Sequence, residues 1–284
     1  MDRASETQHI WTDQQVTSTL PVRETNSHKG SYGTALLVAG TKEMPGAALL
    51  AGLGAMRSGV GKLVIATEAE AVAMIVPRLP EATFLQDGLK QIAHRQTSVD
   101  TYRAVAIGPG TEPDDSTEQA IHNLLESHMP LVLDAGALSS RSYPDRQSPI
   151  ILTPHLAEFS RITGVDVEEI QKNRAHYATY WSKKLGVTIV LKGPHTVISF
   201  PDGETWINPT GNSALAKGGT GDTLTGMILG MLCCHSNWQH AVLNAVYLHG
   251  ACADDWVKSR SAHTMLAHEL SGLLPVVWAR FESQ

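Results

Sequence analysis

TALLVAGTKEMPGAALLAGLGAMRSGVGKLVIAT, residues 34–67, decides the fold class. Thr34–Gly40 is a continuous apolar run of strand length. Pro45 then opens a helical segment, Gly46–Ser58, rich in small residues, and Lys62–Thr67 is a second apolar run. Strands that are apolar throughout, rather than at alternate positions, are buried on both faces. With helices between them, they form a mainly parallel sheet in the middle of three layers.

The alternation continues outward. Ala69–Val76 reads as a short helix, Ala104–Gly108 as a strand ending in a Gly-Pro-Gly turn, Ser116–Ser127 as a helix and Leu131–Ala135 as a strand. Ile150–Thr153 and Thr188–Leu191 are further strands, separated by helical segments at His155–Thr163 and Val167–Leu185. Then the rhythm changes. His195–Phe200 and Thr205–Asn208 flank Pro201-Asp202-Gly203, which predicts an antiparallel hairpin at one edge of the sheet. Three helices follow between Thr220 and about Arg280. With no repeat, low-complexity tract or linker, a single domain over residues 1–284 is expected, its first 23 residues a polar N-terminal extension.

Composition narrows the function classes. The 284 residues carry 22 Lys+Arg against 28 Asp+Glu, a net charge of -6, which speaks against wholesale electrostatic binding of nucleic acid. The apolar fraction of 42% supplies a large core, and 18% charged residues are too few for a disordered chain. Cys233, Cys234 and Cys252 are odd in number and form neither a disulfide framework nor a zinc motif, so reduced thiols in a cytoplasm are expected. The first 27 residues show no export signal, and no 18-residue apolar stretch spans a membrane. Pro209 disqualifies the one glycosylation-like triplet, Asn208-Pro209-Thr210. Asp254-Asp255 reads as a solvated acidic pair.

The chemistry concentrates in Asn208–Gly226, NPTGNSALAKGGTGDTLTG. Glycines before a helix let the backbone approach a ligand, and free amides at the helix start point at it; this is an anion site, usually for phosphate. It is not a Walker A loop, because Lys217 is followed by Gly218-Gly219, and it is not GxGxxG, because Leu224 stands where the third glycine belongs. Asp222 sits in the first turn of that helix. Besides capping, it is placed to take a proton from a hydroxyl that attacks a phosphoryl group, and the helix start is expected to favour its ionised form.

Other polar points follow strand ends, where open α/β sheets bind ligands. His28–Gly33 (HKGSYG) offers Lys29 as a candidate anion ligand. His155 and Glu158 share a helix face at i, i+3, too few for a metal site by themselves. Lys192-Gly193-Pro194-His195-Thr196 is either a β-turn or a nucleotide-binding loop. His235, His240 and His249 read as structural.

In this order HKGSYG, MPGAALLAGLGAMRSGVGKLVIAT, AIGPG, LDAGAL, LTPHLAEF, LKGPHT and NPTGNSALAKGGTGDTLTGMILG resemble the ribokinase-like superfamily, and within it the ADP-dependent NAD(P)H-hydrate dehydratases, over roughly residues 24–275. The resemblance implies a ribokinase-like three-layer α/β/α sandwich and a repair reaction: ADP phosphorylates the hydroxyl that water has added to the reduced nicotinamide ring, phosphate leaves, and AMP and phosphate are released. It implies Asp222 as base, and Ala47, Gly110, His155 and Asp222 against the hydrate. Lys192, Gly193, Pro194, His195, Thr196 and Gly221 would hold the AMP portion, with Gly219, Thr220 and Gly221 giving amides to the moving phosphoryl group. Magnesium, organised by Glu158, and a homotetramer are also implied. Two local departures stand out: Leu156-Ala157 follows His155 where the family has Pro-Gly, and Thr111-Glu112 follows Gly110 where it has Leu-Gly. The competing readings are a kinase of the same fold for a vitamin precursor, such as a hydroxymethylpyrimidine or a thiazole alcohol, and a catalytically silent nucleotide-binding protein.

Overall fold

The computed structural model describes residues 8–282. In chain order the elements are β1 Gln8–Ile10, α1 Asp13–Thr19, β2 Thr34–Val38, α2 Pro45–Arg57, β3 Lys62–Thr67, α3 Ala69–Ile75, β4 Thr83–Gln86, α4 Gly88–Ala93, β5 Ala104–Ile107, α5 Asp115–Leu125 and β6 Leu131–Leu133. There follow β7 Ile150–Leu152, α6 Leu156–Thr163, α7 Val167–Lys172, α8 Arg174–Leu185, β8 Thr188–Leu191, β9 Val197–Ser199 and β10 Thr205–Ile207. The last helices are α9 Thr220–Cys234, α10 Trp238–Val257 and α11 Ala267–Glu282.

All ten strands lie in one sheet, in the order β1-β10-β9-β8-β7-β6-β5-β2-β3-β4. Only β9 runs antiparallel to its neighbours, β8 and β10. The expected hairpin is therefore present but lies one strand in from the edge. β1 covers it, pairing in parallel with β10 through Gln8–Thr205, His9–Trp206 and Ile10–Ile207.

The apolar strands serve two cores. In β2, Ala35 and Leu37 face a core built with α2, α9, α10 and α11, while Leu36 and Val38 face a second core shared with α4, α5 and α6. The period-2 geometry of a strand divides one apolar run between both faces.

The polar start of the chain is more structured than an extension. Residues 1–7 lie outside the described residues, but Thr12 caps α1 in a reciprocal box with Gln15. Trp11 is buried and donates to Asn244 Oδ1 at 2.9 Å. Val167–Leu185 is two helices, broken at Asn173. The Asp254-Asp255 pair is not simply solvated. Asp254 accepts from the Gly211 amide (2.9 Å) and Asn212 Nδ2 (2.8 Å), and Asp255 pairs with Arg280 and Lys258.

The small residues of α2 and α9 have a packing reason. A Cβ on Gly226 would run into the Ala51 carbonyl, and one on Gly54 into the Thr223 carbonyl. The two backbones approach each other directly, and this contact orients the start of α9. Gly226→Ala should therefore destabilise the fold by about 3 kcal/mol, although alanine in an open helix position stabilises by about 1 kcal/mol. A thermal midpoint raised by the substitution would contradict this packing.

Candidate active site

Every sequence-derived site residue except one group lies at the carboxyl ends of the parallel strands. Ala47 follows β2, Gly110 follows β5, His155 and Glu158 follow β7, Lys192–Thr196 follow β8, and the loop into α9 follows β10. The chain runs from β2 to β3 and β4 on one side and returns to β5 on the other, so β2 and β5 border a topological switch point. The exception is the His28–Gly33 segment. It precedes β2 and packs Lys29 against Gly61, at the start of β3, so Lys29 belongs to the opposite end of the sheet.

The glycine loop is anchored from α10. Thr210 donates to the Tyr247 carbonyl at 2.7 Å, and Gly250 leaves space for Thr210 to press against the helix. His249 is buried and its Nε2 lies 2.9 Å from the Thr220 carbonyl. Desolvation pushes its pKa down to about 4, so at neutral pH it is an uncharged donor holding the loop. Gly219 has φ +90°, the left-handed region, and gives α9 an N-cap with no side chain over the first amides. The opening of α9 thus has free donors for an anion.

Asp222 stands in that first turn among a cluster that sequence spacing could not reveal. Lys192 Nζ lies 2.9 Å from Asp134 Oδ1 and 3.9 Å from Glu158 Oε2. A Cβ on Gly221 would be 3.2 Å from the same ammonium. Asp134 also accepts from Thr225 Oγ1 at 2.7 Å. Burial pushes the Asp222 pKa up to about 7; Asp134 raises it too, Lys192 pulls it back, and Glu158 adds a smaller push upward. This corrects the expectation that the helix start keeps Asp222 ionised. A helix terminus is worth about 1 kcal/mol to a carboxylate, whereas desolvation and two neighbouring carboxylates outweigh it. Burial favours the neutral form of Lys192, but Asp134, Glu158 and Asp222 together raise its pKa, so it remains a cation.

His155 and Glu158 form a capping box. Glu158 Oε2 accepts from the His155 amide at 2.8 Å, and His155 Nδ1 accepts from the Glu158 amide at 3.2 Å. The i, i+3 spacing is thus explained by the start of α6, with Glu158 nearly buried and facing Lys192. Around Lys192 stand three carboxyl groups to one ammonium, with Asp222 only partly ionised at neutral pH. Phosphates entering here call for another cation. Among the described residues, no group of three or more His, Cys, Asp or Glu could hold a metal by itself. That fits magnesium, which is usually held by one or two carboxylates together with phosphate and water.

The loop after β8 is strained and braced. Gly193 has φ +145° and His195 has φ +51°. Arg174, which sequence reading did not single out, donates to the Leu191 carbonyl at 2.8 Å and to the Pro194 carbonyl. Thr196 Oγ1 closes the turn on the Gly193 carbonyl at 3.0 Å. Ala47 and Gly110 meet on the other side of the cleft, where a Cβ on Gly110 would be 2.7 Å from that of Ala47. Ala48, the neighbouring alternative, is fully buried in the core. Leu50, one turn beyond Ala47, packs against Gly219 and joins this half to the phosphate loop. Beyond Gly110 a small cavity of about 110 Å³ opens among Gly40, Thr67, Glu68, Asp87 and Thr111.

The chain is similar to known proteins over nearly its whole length. Residues 35–276 match the family model described as NAD(P)H-hydrate dehydratase. The ADP-dependent (S)-NAD(P)H-hydrate dehydratase of Bacillus subtilis (strain 168) is 63% identical over 273 residues, 96% of this chain and 99% of the relative. The crystal structure of the ADP/ATP-dependent NAD(P)H-hydrate dehydratase from Bacillus subtilis, co-crystallised with ATP/Mg2+, superposes with a TM-score of 0.96 at 62% identity, covering 98% of this chain and all of that one. A ribokinase-like superfamily protein from Enterococcus faecalis V583 superposes with a TM-score of 0.86 at 26% identity, both chains covered in full.

Proposed function

The chain belongs to the NAD(P)H-hydrate dehydratase family, and from that premise we propose that Asp222 is the base of an ADP-dependent repair of hydrated nicotinamide cofactor. The protein is a carbon–oxygen lyase that returns the S-epimer of NADH or NADPH hydrate to NAD(P)H. Hydroxide is a poor leaving group. The hydrate hydroxyl attacks the terminal phosphoryl group of ADP, Asp222 takes its proton, and AMP departs. The phosphate then leaves the ring carbon, the neighbouring carbon gives up a proton, and the double bond re-forms.

The observation that carries this reading is the position of Asp222: a carboxyl with its pKa near 7, in the first turn of a helix that opens on a glycine with no side-chain cap, beside a fixed ammonium. A general base works best with a pKa near the operating pH. The amides of Gly219, Thr220 and Gly221 and the Lys192 ammonium oppose the charge on the phosphoryl group as it transfers. Lys192, Gly193, Pro194, His195 and Thr196 seat the AMP portion. Ala47, Gly110 and His155 border the hydrate, and the rest of the dinucleotide extends toward the cavity beyond Gly110. Magnesium, when bound, neutralises phosphate charge, and Glu158 would hold it together with the phosphates. A homotetramer and a cytoplasmic location remain part of the proposal. The first is supported by the resemblance and the second by three free cysteines. Light scattering of the purified protein tests the assembly.

The decisive assay incubates the protein with NADH hydrate, magnesium and ADP and follows absorbance of the reduced nicotinamide. Recovery that depends on ADP is expected, with AMP and phosphate as products. A stable phosphorylated product by mass spectrometry would instead identify a kinase. The pH dependence gives a second check. Asp222 must be ionised to accept the proton, so kcat/KM should fall about tenfold per pH unit below pH 7 and level off above it. A rate independent of pH between 5 and 7 would exclude Asp222 as the base.

A further inference from the structure

Asp134 has no role in the reading above, yet it is the most deeply buried acid of the cluster, 1% exposed against 9% for Glu158. Both of its carboxylate oxygens are engaged, Oδ1 by Lys192 at 2.9 Å and Oδ2 by Thr225 at 2.7 Å. Its own backbone is fixed too, because the Asp134 carbonyl packs directly against Gly108 at the end of β5. We propose that Asp134, locked by Thr225, is a positioning residue that fixes the Lys192 ammonium beside the first turn of α9, where the phosphoryl group moves. This rests on the function proposed above and adds a device to it.

A lysine is a point charge on a flexible stem, and holding it in one place costs side-chain entropy. A cation contributes most to a transition state when it is already in place. Thr225 stands three residues after Asp222, so both project from one face of α9. One rigid helix therefore carries the base directly and places the cation through Thr225, Asp134 and Lys192 in turn. The groups facing Lys192 are Asp134 after β6, Glu158 on α6 and Asp222 on α9; on α10, His249 is uncharged. Without the Asp134 charge, Glu158 at 3.9 Å and Asp222 compete for the ammonium and draw it off the phosphoryl position.

The test is a kinetic cycle on the intact protein with NADH hydrate and ADP. Asp134→Asn, which keeps the shape and the Thr225 contact, should lower kcat about a hundredfold, with the KM for ADP changed only a few-fold. In a Lys192→Met background the same substitution should add less than about threefold, because residues that act through one another are not additive. Losses that multiply would overturn the proposal and leave Asp134 a structural acid. Thr225→Val removes the hydroxyl without changing size and should cost about tenfold, while Thr225→Ser should restore most of the rate. Equal rates in the valine and serine variants would also overturn it, and this pair decides the matter if Asp134→Asn fails to fold. A parent protein with no ADP-dependent recovery would defeat the functional reading itself, and this inference with it. An active parent with multiplying losses would defeat only the role of Asp134.

Discussion

Asp222→Asn should lower kcat for NADH hydrate by about three orders of magnitude, near the upper end of what a positioned base contributes, while ADP binds as well as before or more tightly. Asparagine has the same shape and still offers an oxygen to the substrate hydroxyl, but it cannot take the proton. The nucleotide loop after β8 is held by Arg174 and by its own turn, none of which touches Asp222. Removing the carboxyl also removes the negative charge that the ionised fraction of Asp222 turns toward approaching phosphates. Binding and turnover should therefore separate: calorimetry with ADP keeps its signal, and the absorbance assay loses its slope. Asp222→Glu carries the carboxyl one methylene further from α9 and should recover only part of the rate. If asparagine and aspartate turn over equally, the proton leaves by another route and the assignment of the base is wrong.

The sheet is legible in the sequence because its strands are apolar throughout and its helices amphipathic or rich in small residues. β2, β3, β5 and β8 read directly from composition and length. β1 does not, because three residues of mixed polarity acquire strand character only by pairing with β10, nearly two hundred positions away. β4, a half-exposed edge strand of four residues, escapes because its polarity is mixed and its burial partial. In the site, glycines before a helix and an acid in its first turn can be read as local chemistry. The partners of that acid cannot. Asp134, Lys192 and Thr225 come from the ends of β6 and β8 and the middle of α9, and only the parallel packing of the sheet brings Asp134 within 3 Å of the other two. The protonation of Asp222 differs from the expectation because a helix terminus is visible in sequence, whereas burial and the Asp134 charge are not.

The raised pKa of that carboxyl also leaves a mark on stability. Asp222 ionises near 3.8 in an open chain and at about 7 in the fold. Between those values the folded protein holds a proton that the unfolded chain has released, so stability from this group is full below pH 4 and is lost as pH rises toward 7. A tenfold change in proton affinity between the two states corresponds to about 1.4 kcal/mol. Because Asp222 is only partly buried and borders an open cleft, solvent screening brings the realised cost down to about 2 kcal/mol. Asparagine cannot ionise and avoids the cost. The difference in stability between Asp222→Asn and the parent should therefore move in favour of the variant by about 1 kcal/mol between pH 5 and pH 8, the rest of the cost falling below pH 5. The other titrating groups, common to both proteins, largely cancel in this difference. Paired urea midpoints at the two pH values measure it. Parallel behaviour of the two proteins would mean that the fold does not hold the proton on Asp222. The variant expected to be the least active of those considered is thus also expected to be more stable at alkaline pH, because the feature that makes Asp222 a strong base is its unfavourable ionisation in the folded protein.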